Sequence, residues 1–220
     1  MLKSASLEVK GIDVSRWQGE INWQMVAAAG CKFAAIRATV GNYYMDPYFE
    51  RNREGAILFE IYPLYYHVVA PENSIKSQMD NFMKAIGDIG HARPVMDIEL
   101  TRDKTKEVIT EVVKGCLSEA SDRCKKVAMA YSNAYFWHTY IIDKGWSRGY
   151  EKWIANYRST PPPSLPKAWN AWTLWQWTNK GTWPGISGAV DLNYFNGSGD
   201  EFLEWAGARS LSLEERVMRL

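Results

Sequence analysis

Trp153-Ile154-Ala155-Asn156-Tyr157-Arg158-Ser159-Thr160-Pro161-Pro162-Pro163 is the stretch at which the rhythm of this chain changes. Residues 153–157 read as a strand. The prolines behind it cannot continue into a helix, because proline removes a helix hydrogen bond and clashes with the preceding turn. Upstream, every strand is followed by a helix. Strands are expected over residues 9–15, 33–39, 61–69, 93–99 and 127–132, and helices over 22–30, 46–59, 72–86, 105–123 and 134–142. Helix 105–123 has the clearest pattern, with Val108, Val112, Cys116 and Leu117 on one face. Downstream, residues 171–178 and 189–195 read as strands joined by segments rich in Pro, Gly, Trp and Asn. Five strand–helix units and three further strands predict an α/β fold, and closing them into an eight-strand barrel leaves no free sheet edge. A helix over residues 198–206, anchored by Phe202, Leu203 and Trp205, is expected at the end.

At 220 residues the chain has room for one such barrel. We expect a short N-terminal extension over residues 1–9, the barrel over 10–207 and a tail over 208–220. In the tail Ser212 and Glu215 have capping-box spacing, with Leu213, Val217 and Leu220 on one face, which suits packing back on the domain. A net charge of +1 gives no support for nucleic-acid binding, and no stretch approaches the ~18 apolar residues of a membrane span. Cys31, Cys116 and Cys124 are odd in number and lack metal-site spacing, so they are expected to be reduced, buried small residues. No metal or organic cofactor is implied. The 11 Trp and 12 Tyr suit both a core and the faces of sugar rings.

The chemistry centres on Pro94-Val95-Met96-Asp97-Ile98-Glu99-Leu100. Alternate strand residues share a face, so Asp97 and Glu99 point the same way with Cα atoms roughly 6–7 Å apart. Two carboxylates side by side raise one another's proton affinity, leaving one protonated and one ionised near neutral pH. That division suits acid-catalysed cleavage of a glycosidic bond. In isolation such a pair more often describes a strand end with two solvated or salt-bridged acids. Two further acids change the balance. In α/β barrels the site lies at the C-terminal ends of the strands. Asp13 lies towards the end of the first strand, and Asp191 sits in the eighth, its neighbour if the barrel closes. Tyr65-Tyr66-His67, Tyr131, residues 153–157 and Trp175-Gln176-Trp177 lie on or end the other strands, and the same face rule puts an aromatic and amide mixture suited to a sugar chain around the acids. His67 reads equally well as a hydrogen-bonded core histidine.

These segments together resemble the glycoside hydrolase family 25 lysozymes, N-acetylmuramidases that include bacteriophage endolysins. The likeness rests on Gly11-Ile12-Asp13-Val14-Ser15 with Trp17-Gln18-Gly19, Phe33-Ala34-Ala35-Ile36-Arg37-Ala38-Thr39, Tyr66-His67, Val95-Met96-Asp97-Ile98-Glu99, Tyr131-Ser132, Trp153-Ile154-Ala155-Asn156-Tyr157, Trp175-Gln176-Trp177-Thr178 and Val190-Asp191-Leu192-Asn193. The resemblance implies a (β/α)5(β)3 barrel that cuts the β-1,4 bond between N-acetylmuramic acid and N-acetylglucosamine, with peptidoglycan glycan strands as partner. It places the catalytic acid on Glu99, its paired carboxylate on Asp97 and flanking acids on Asp13 and Asp191, with Tyr66, Tyr131, Trp153 and Gln176 near bound sugar. Val68-Val69-Ala70 after His67 departs from the family, where an aromatic is usual.

The strand spacing of the carboxylates falls between the separations of retaining and inverting enzymes, about 5–5.5 and 6.5–9.5 Å. The resemblance favours a third route, in which the substrate's own N-acetyl oxygen attacks and Asp97 stabilises the cyclic cation. Competing readings are a sugar-binding barrel without turnover and a chitinase-like hydrolase. Residues 1–8 hold no apolar run, so synthesis without a secretory signal and action on the bacterial wall after release, as for an endolysin, are expected.

Overall fold

In the computed structural model, which describes residues 9–207, nine strands form a single sheet that closes on itself. The strands are β1 (Lys10–Val14), β2 (Phe33–Val40), β3 (Tyr44–Met45), β4 (Tyr62–Val68), β5 (Arg93–Asp97), β6 (Met129–Asn133), β7 (Glu151–Ala155), β8 (Leu174–Gly181) and β9 (Val190–Phe195). Helices α1 (Trp23–Ala28), α2 (Phe49–Leu58), α3 (Ile75–Ile86), α4 (Lys106–Cys124) and α5 (Ala134–Tyr140) separate the strands up to β7, and α6 (Gly199–Trp205) follows β9. The pairing runs β1-β9-β8-β7-β6-β5-β4-β2-β3, and a parallel β1–β2 ladder closes the ring. β3 is a two-residue addition folded back on the end of β2. Five strand–helix units followed by strands joined through loops are as the sequence predicts.

One departure from the expected pattern matters for the site. β9 runs antiparallel to both of its neighbours, β8 and β1. The connection from β8 holds Trp183-Pro184-Gly185 and Gly188 and no helix, and a parallel crossover would need a dozen or more residues. Asp191 lies near the start of its strand, so a parallel β9 would carry it to the far end of the barrel. The reversal brings it to the same mouth as the ends of β1 and β5.

Strands with helices outside and side chains inside are buried on both faces, which is why Phe33-Ala34-Ala35-Ile36 is uniformly apolar. Phe33, Ala35, Leu64, Val95, Met129, Trp153, Leu174 and Phe195 fill the barrel, and Phe202 and Ala206 of the α6 segment close its lower end. Arg93 and Glu151 pair there at 2.6 Å, and Glu151 Oε2 accepts from Trp205 Nε1 at 2.8 Å. The space is tight: a Cβ on Gly11 would sit 2.4 Å from the Phe33 ring, its neighbour in register. The larger core lies between the outer strand faces and the helices.

Val9 packs into the barrel, and its carbonyl accepts from Phe195 N. The rest of the N-terminal extension and the whole tail, including its capping box, lie outside the described residues. All three cysteines are free and buried. Among the described residues no helix is long and apolar enough to cross a membrane.

Candidate active site

The upper mouth of the barrel opens into a cavity of about 320 Å³ lined by all eight expected residues: Asp13, Tyr66, Asp97, Glu99, Tyr131, Trp153, Gln176 and Asp191. Strand alternation places them. Inward positions on β4, β5, β6 and β8 read Leu64 then Tyr66, Val95 then Asp97, Met129 then Tyr131, and Leu174 then Gln176, with the apolar layer below and the polar layer above. β5 ends at Asp97, two residues short of the expected end, so Glu99 lies beyond the strand. The alternation nevertheless persists. Ile98 is buried in the outer core, its N–H donates to the Tyr131 carbonyl at 2.9 Å and its carbonyl accepts from Ser132 Oγ at 2.7 Å. Glu99 therefore returns to the mouth, exposed above the buried Asp97.

His67 alternates to the other face. It is fully buried outside the barrel, with Thr39 Oγ1 at 2.7 Å and Gln78 Oε1 at 3.0 Å, and burial lowers its pKa to about 4. It is a core histidine.

A hydrogen-bond network underlies the acids. β1 and β9 set Asp13 directly opposite Asp191. Asp13 Oδ2 accepts from Asn193 Nδ2 at 2.7 Å and Gln176 Nε2 at 3.0 Å. Gln176 Nε2 also reaches Asp191 Oδ2 at 3.3 Å, while its Oε1 accepts from Tyr131 OH at 2.9 Å and Tyr157 OH at 3.0 Å. Trp153 Nε1 donates to Asn193 Oδ1 at 2.8 Å. Both Gln176 and Trp153 are only 2% exposed, and their polar atoms are engaged within the protein. Expected at the sugar, they form the floor that holds Asp13 and the two tyrosines in place. Tyr131 and Tyr157 keep faces towards the cavity.

Burial and mutual repulsion raise the proton affinity of every acid here. Asp13 is held well above the usual carboxylate range, first by burial and then by the Asp191 charge. Burial also raises Asp191, while a hydrogen bond from Asp13 opposes the rise, so Asp13 is the partner that carries the proton. Asp97 is raised well above its ordinary value by burial and then by Glu99 and Asp13. Glu99 is raised by loss of solvent around its carboxyl and then by Asp191. Each titrates against the others, so the protons of the group are shared among the four acids.

Arg37, the one cation among the lining residues, offsets this charge, lowering the proton affinity of both Asp97 and Glu99. Its Nε is fixed at 2.7 Å to Asp46 Oδ2, a buried carboxylate that also accepts from the backbone N–H groups of Arg16 and Tyr48. Where β2 passes β4 the register slips between Arg37 and Thr39, a bulge that turns Arg37 inwards with Tyr66 while Thr39 faces out to His67. Asp97 Oδ1 is buried and has no hydrogen-bond partner among the described residues.

The mouth thus presents a glutamic acid of raised proton affinity beside a buried aspartate with an unsatisfied oxygen, walled by aromatic rings. Comparison with known proteins agrees with this geometry. The family model for glycosyl hydrolases family 25 matches residues 12–186. Lysozyme M1 of Streptomyces globisporus is 32% identical over 213 residues, covering 90% of this chain and 71% of that protein. YegX of Escherichia coli K12 is 34% identical over 207 residues, covering 90% of this chain and 73% of that protein. Among solved structures, the bacterial lysozyme of Streptomyces coelicolor superposes with a TM-score of 0.83 at 30% identity, covering 91% of this chain and 98% of that one.

Proposed function

Because the chain belongs to glycosyl hydrolases family 25, we propose that it is a muramidase, cutting the β-1,4 bond between N-acetylmuramic acid and N-acetylglucosamine in bacterial cell wall. Glu99 is the general acid. Its proton affinity is raised by loss of solvent and by the Asp191 charge, and it lies at the exposed mouth, where a glycosidic oxygen can reach it.

In this reading the proton passes from Glu99 to the leaving oxygen as the C1–O bond breaks. The substrate's acetamido oxygen attacks C1, and the acetamido N–H gains acidity as positive charge spreads over the new ring. Asp97 lines the cavity, and its buried, otherwise unpartnered Oδ1 is the acceptor for that N–H. This is the observation that carries the proposal, because an orphaned buried carboxylate oxygen is costly unless a ligand completes it. Water then opens the ring, giving its proton back to Glu99. Asp13 and Asp191 hold the floor's charge distribution, with Asp13 protonated against its neighbour.

The test is product analysis on purified peptidoglycan. Mass spectrometry should find every new reducing end on N-acetylmuramic acid. New ends on N-acetylglucosamine, or cleavage of chitin oligomers in preference to wall glycan, would favour the chitinase-like reading. Glycan binding with no new ends would favour the silent barrel.

A further inference from the structure

One side of the mouth carries positive charge for which the fold supplies no counter-charge. Arg16 lies in the short 3-10 turn after β1 and is exposed. Its backbone N–H donates to Asp46, but among the described residues no carboxylate pairs with its guanidinium. The guanidinium lies against aromatic rings instead, 4.4 Å from the Trp17 centroid and 5.5 Å from that of Tyr44. Trp17 lines the cavity and is 72% exposed. Tyr44, on β3, also has the Arg37 guanidinium 5.7 Å from its ring. A short path of cation, ring and cation therefore runs from the rim inwards, and at its base Asp46 accepts from the Arg16 backbone N–H and the Arg37 side chain. The facing wall of β6 and β8 supplies Tyr131, Gln176 and Asn179 and no cation to the cavity.

This arrangement has a chemical meaning. Stacking fixes the guanidinium plane and lowers the entropy lost when its fork engages an anion. An unpaired arginine fork matches a carboxylate in a two-point hydrogen bond. A neutral N-acetyl sugar backbone gives it no partner. Cell-wall glycan does, on the lactyl arm of muramic acid and on the peptides attached to that arm. Resting on the muramidase reading above, we propose that Arg16, stacked on Trp17 and Tyr44 at the β1–β3 rim, binds a carboxylate carried by the glycan strand beside the bond that is cut. The exposed Trp17 face supports the sugar that carries it.

The experiment compares kcat/KM of the full-length protein on three soluble glycans. The first carries peptides with free carboxylates, the second is the same material with carboxylates converted to methylamides, and the third is stripped of peptides so that lactyl carboxylates are exposed. Wild type should prefer the first to the second by about fivefold, the strength of a rim ion pair, and the preference should vanish at ~0.5 M salt. Arg16→Gln should bring the ratio of the two rates close to one. A rate that does not depend on Arg16 on either the carboxylate-bearing or the stripped glycan overturns the proposal while leaving the muramidase reading intact. Because the readout is a ratio, a general loss of activity does not imitate the effect. An Arg16-dependent rate on the stripped glycan upholds the proposal with the lactyl carboxylate as ligand, and dependence confined to the intact glycan upholds it with the peptide. Absence of new reducing ends from all three overturns both.

Discussion

Asp13 and Asp191 stand directly opposite one another across the antiparallel β1–β9 ladder, and one amide nitrogen, Gln176 Nε2, donates to both at 3.0 and 3.3 Å. Two carboxyls so placed cannot both ionise cheaply, so the fold retains a proton between them. The site is thus built against its own stability.

Asp13→Asn should therefore stabilise the protein at neutral pH. The folded-state proton affinity of Asp13 is raised, so the stability it contributes is complete below the ordinary carboxylate pKa and is lost as pH rises through the folded value. At pH 7 the variant should melt higher, by about 3–6 °C, and near pH 4 the two should converge. Turnover should fall by roughly 10- to 100-fold. Calorimetry across that pH range checks the first part, and equal melting temperatures at pH 7 would count against it.

His67 gives the opposite slope. Burial lowers its folded pKa to about 4 from the ordinary histidine value of 6.5, so its neutral form is favoured in the fold. That stability is present above 6.5 and is lost as pH falls towards 4, amounting to about 3 kcal/mol. Proton uptake by the site acids works the other way, so the comparison is with His67→Gln, which keeps the acids. The difference in denaturant midpoint between wild type and variant should shrink as pH falls through this window. A pH-independent difference would contradict the assignment.

Gln176 joins the acids to the tyrosines. Gln176→Leu would leave Tyr131 OH and Tyr157 OH without their acceptor and remove a donor from Asp13. We expect a stability loss of roughly 1–3 kcal/mol and a fall in kcat that exceeds any rise in KM. A pure KM effect would restore Gln176 to the role of a sugar ligand.

Arg37 lowers the proton affinity of Asp97 and Glu99. Arg37→Gln should move both limbs of the pH–rate profile to higher pH and reduce kcat/KM by about tenfold or more. Asp46→Asn, which loosens the guanidinium without deleting it, should move the profile in the same direction by less. A lower rate with unmoved limbs would make Arg37 a substrate contact only.

What was legible in the sequence follows from range. The strand–helix rhythm and the inward acids are local patterns, and the proline run at Pro161 marks where the rhythm stops. The direction of β9 is not local, and neither is Asn193, whose partner Asp13 lies 180 residues away. Gln176 and Trp153 have the chemistry of sugar ligands, and only burial shows their polar atoms engaged within the protein. Asp46 reads as the start of a helix, yet α2 begins at Phe49 and Asp46 instead anchors Arg37. A short hairpin, β3, carries no period long enough to detect, and it supplies Tyr44 to the rim.

Glu99→Gln tests the central claim most directly, because it removes the transferable proton and little else. With muropeptide release and glycan binding measured on the same preparation, turnover should drop by about 10³-fold or more while the dissociation constant changes only a few-fold. Release within tenfold of wild type would show that the proton comes from elsewhere.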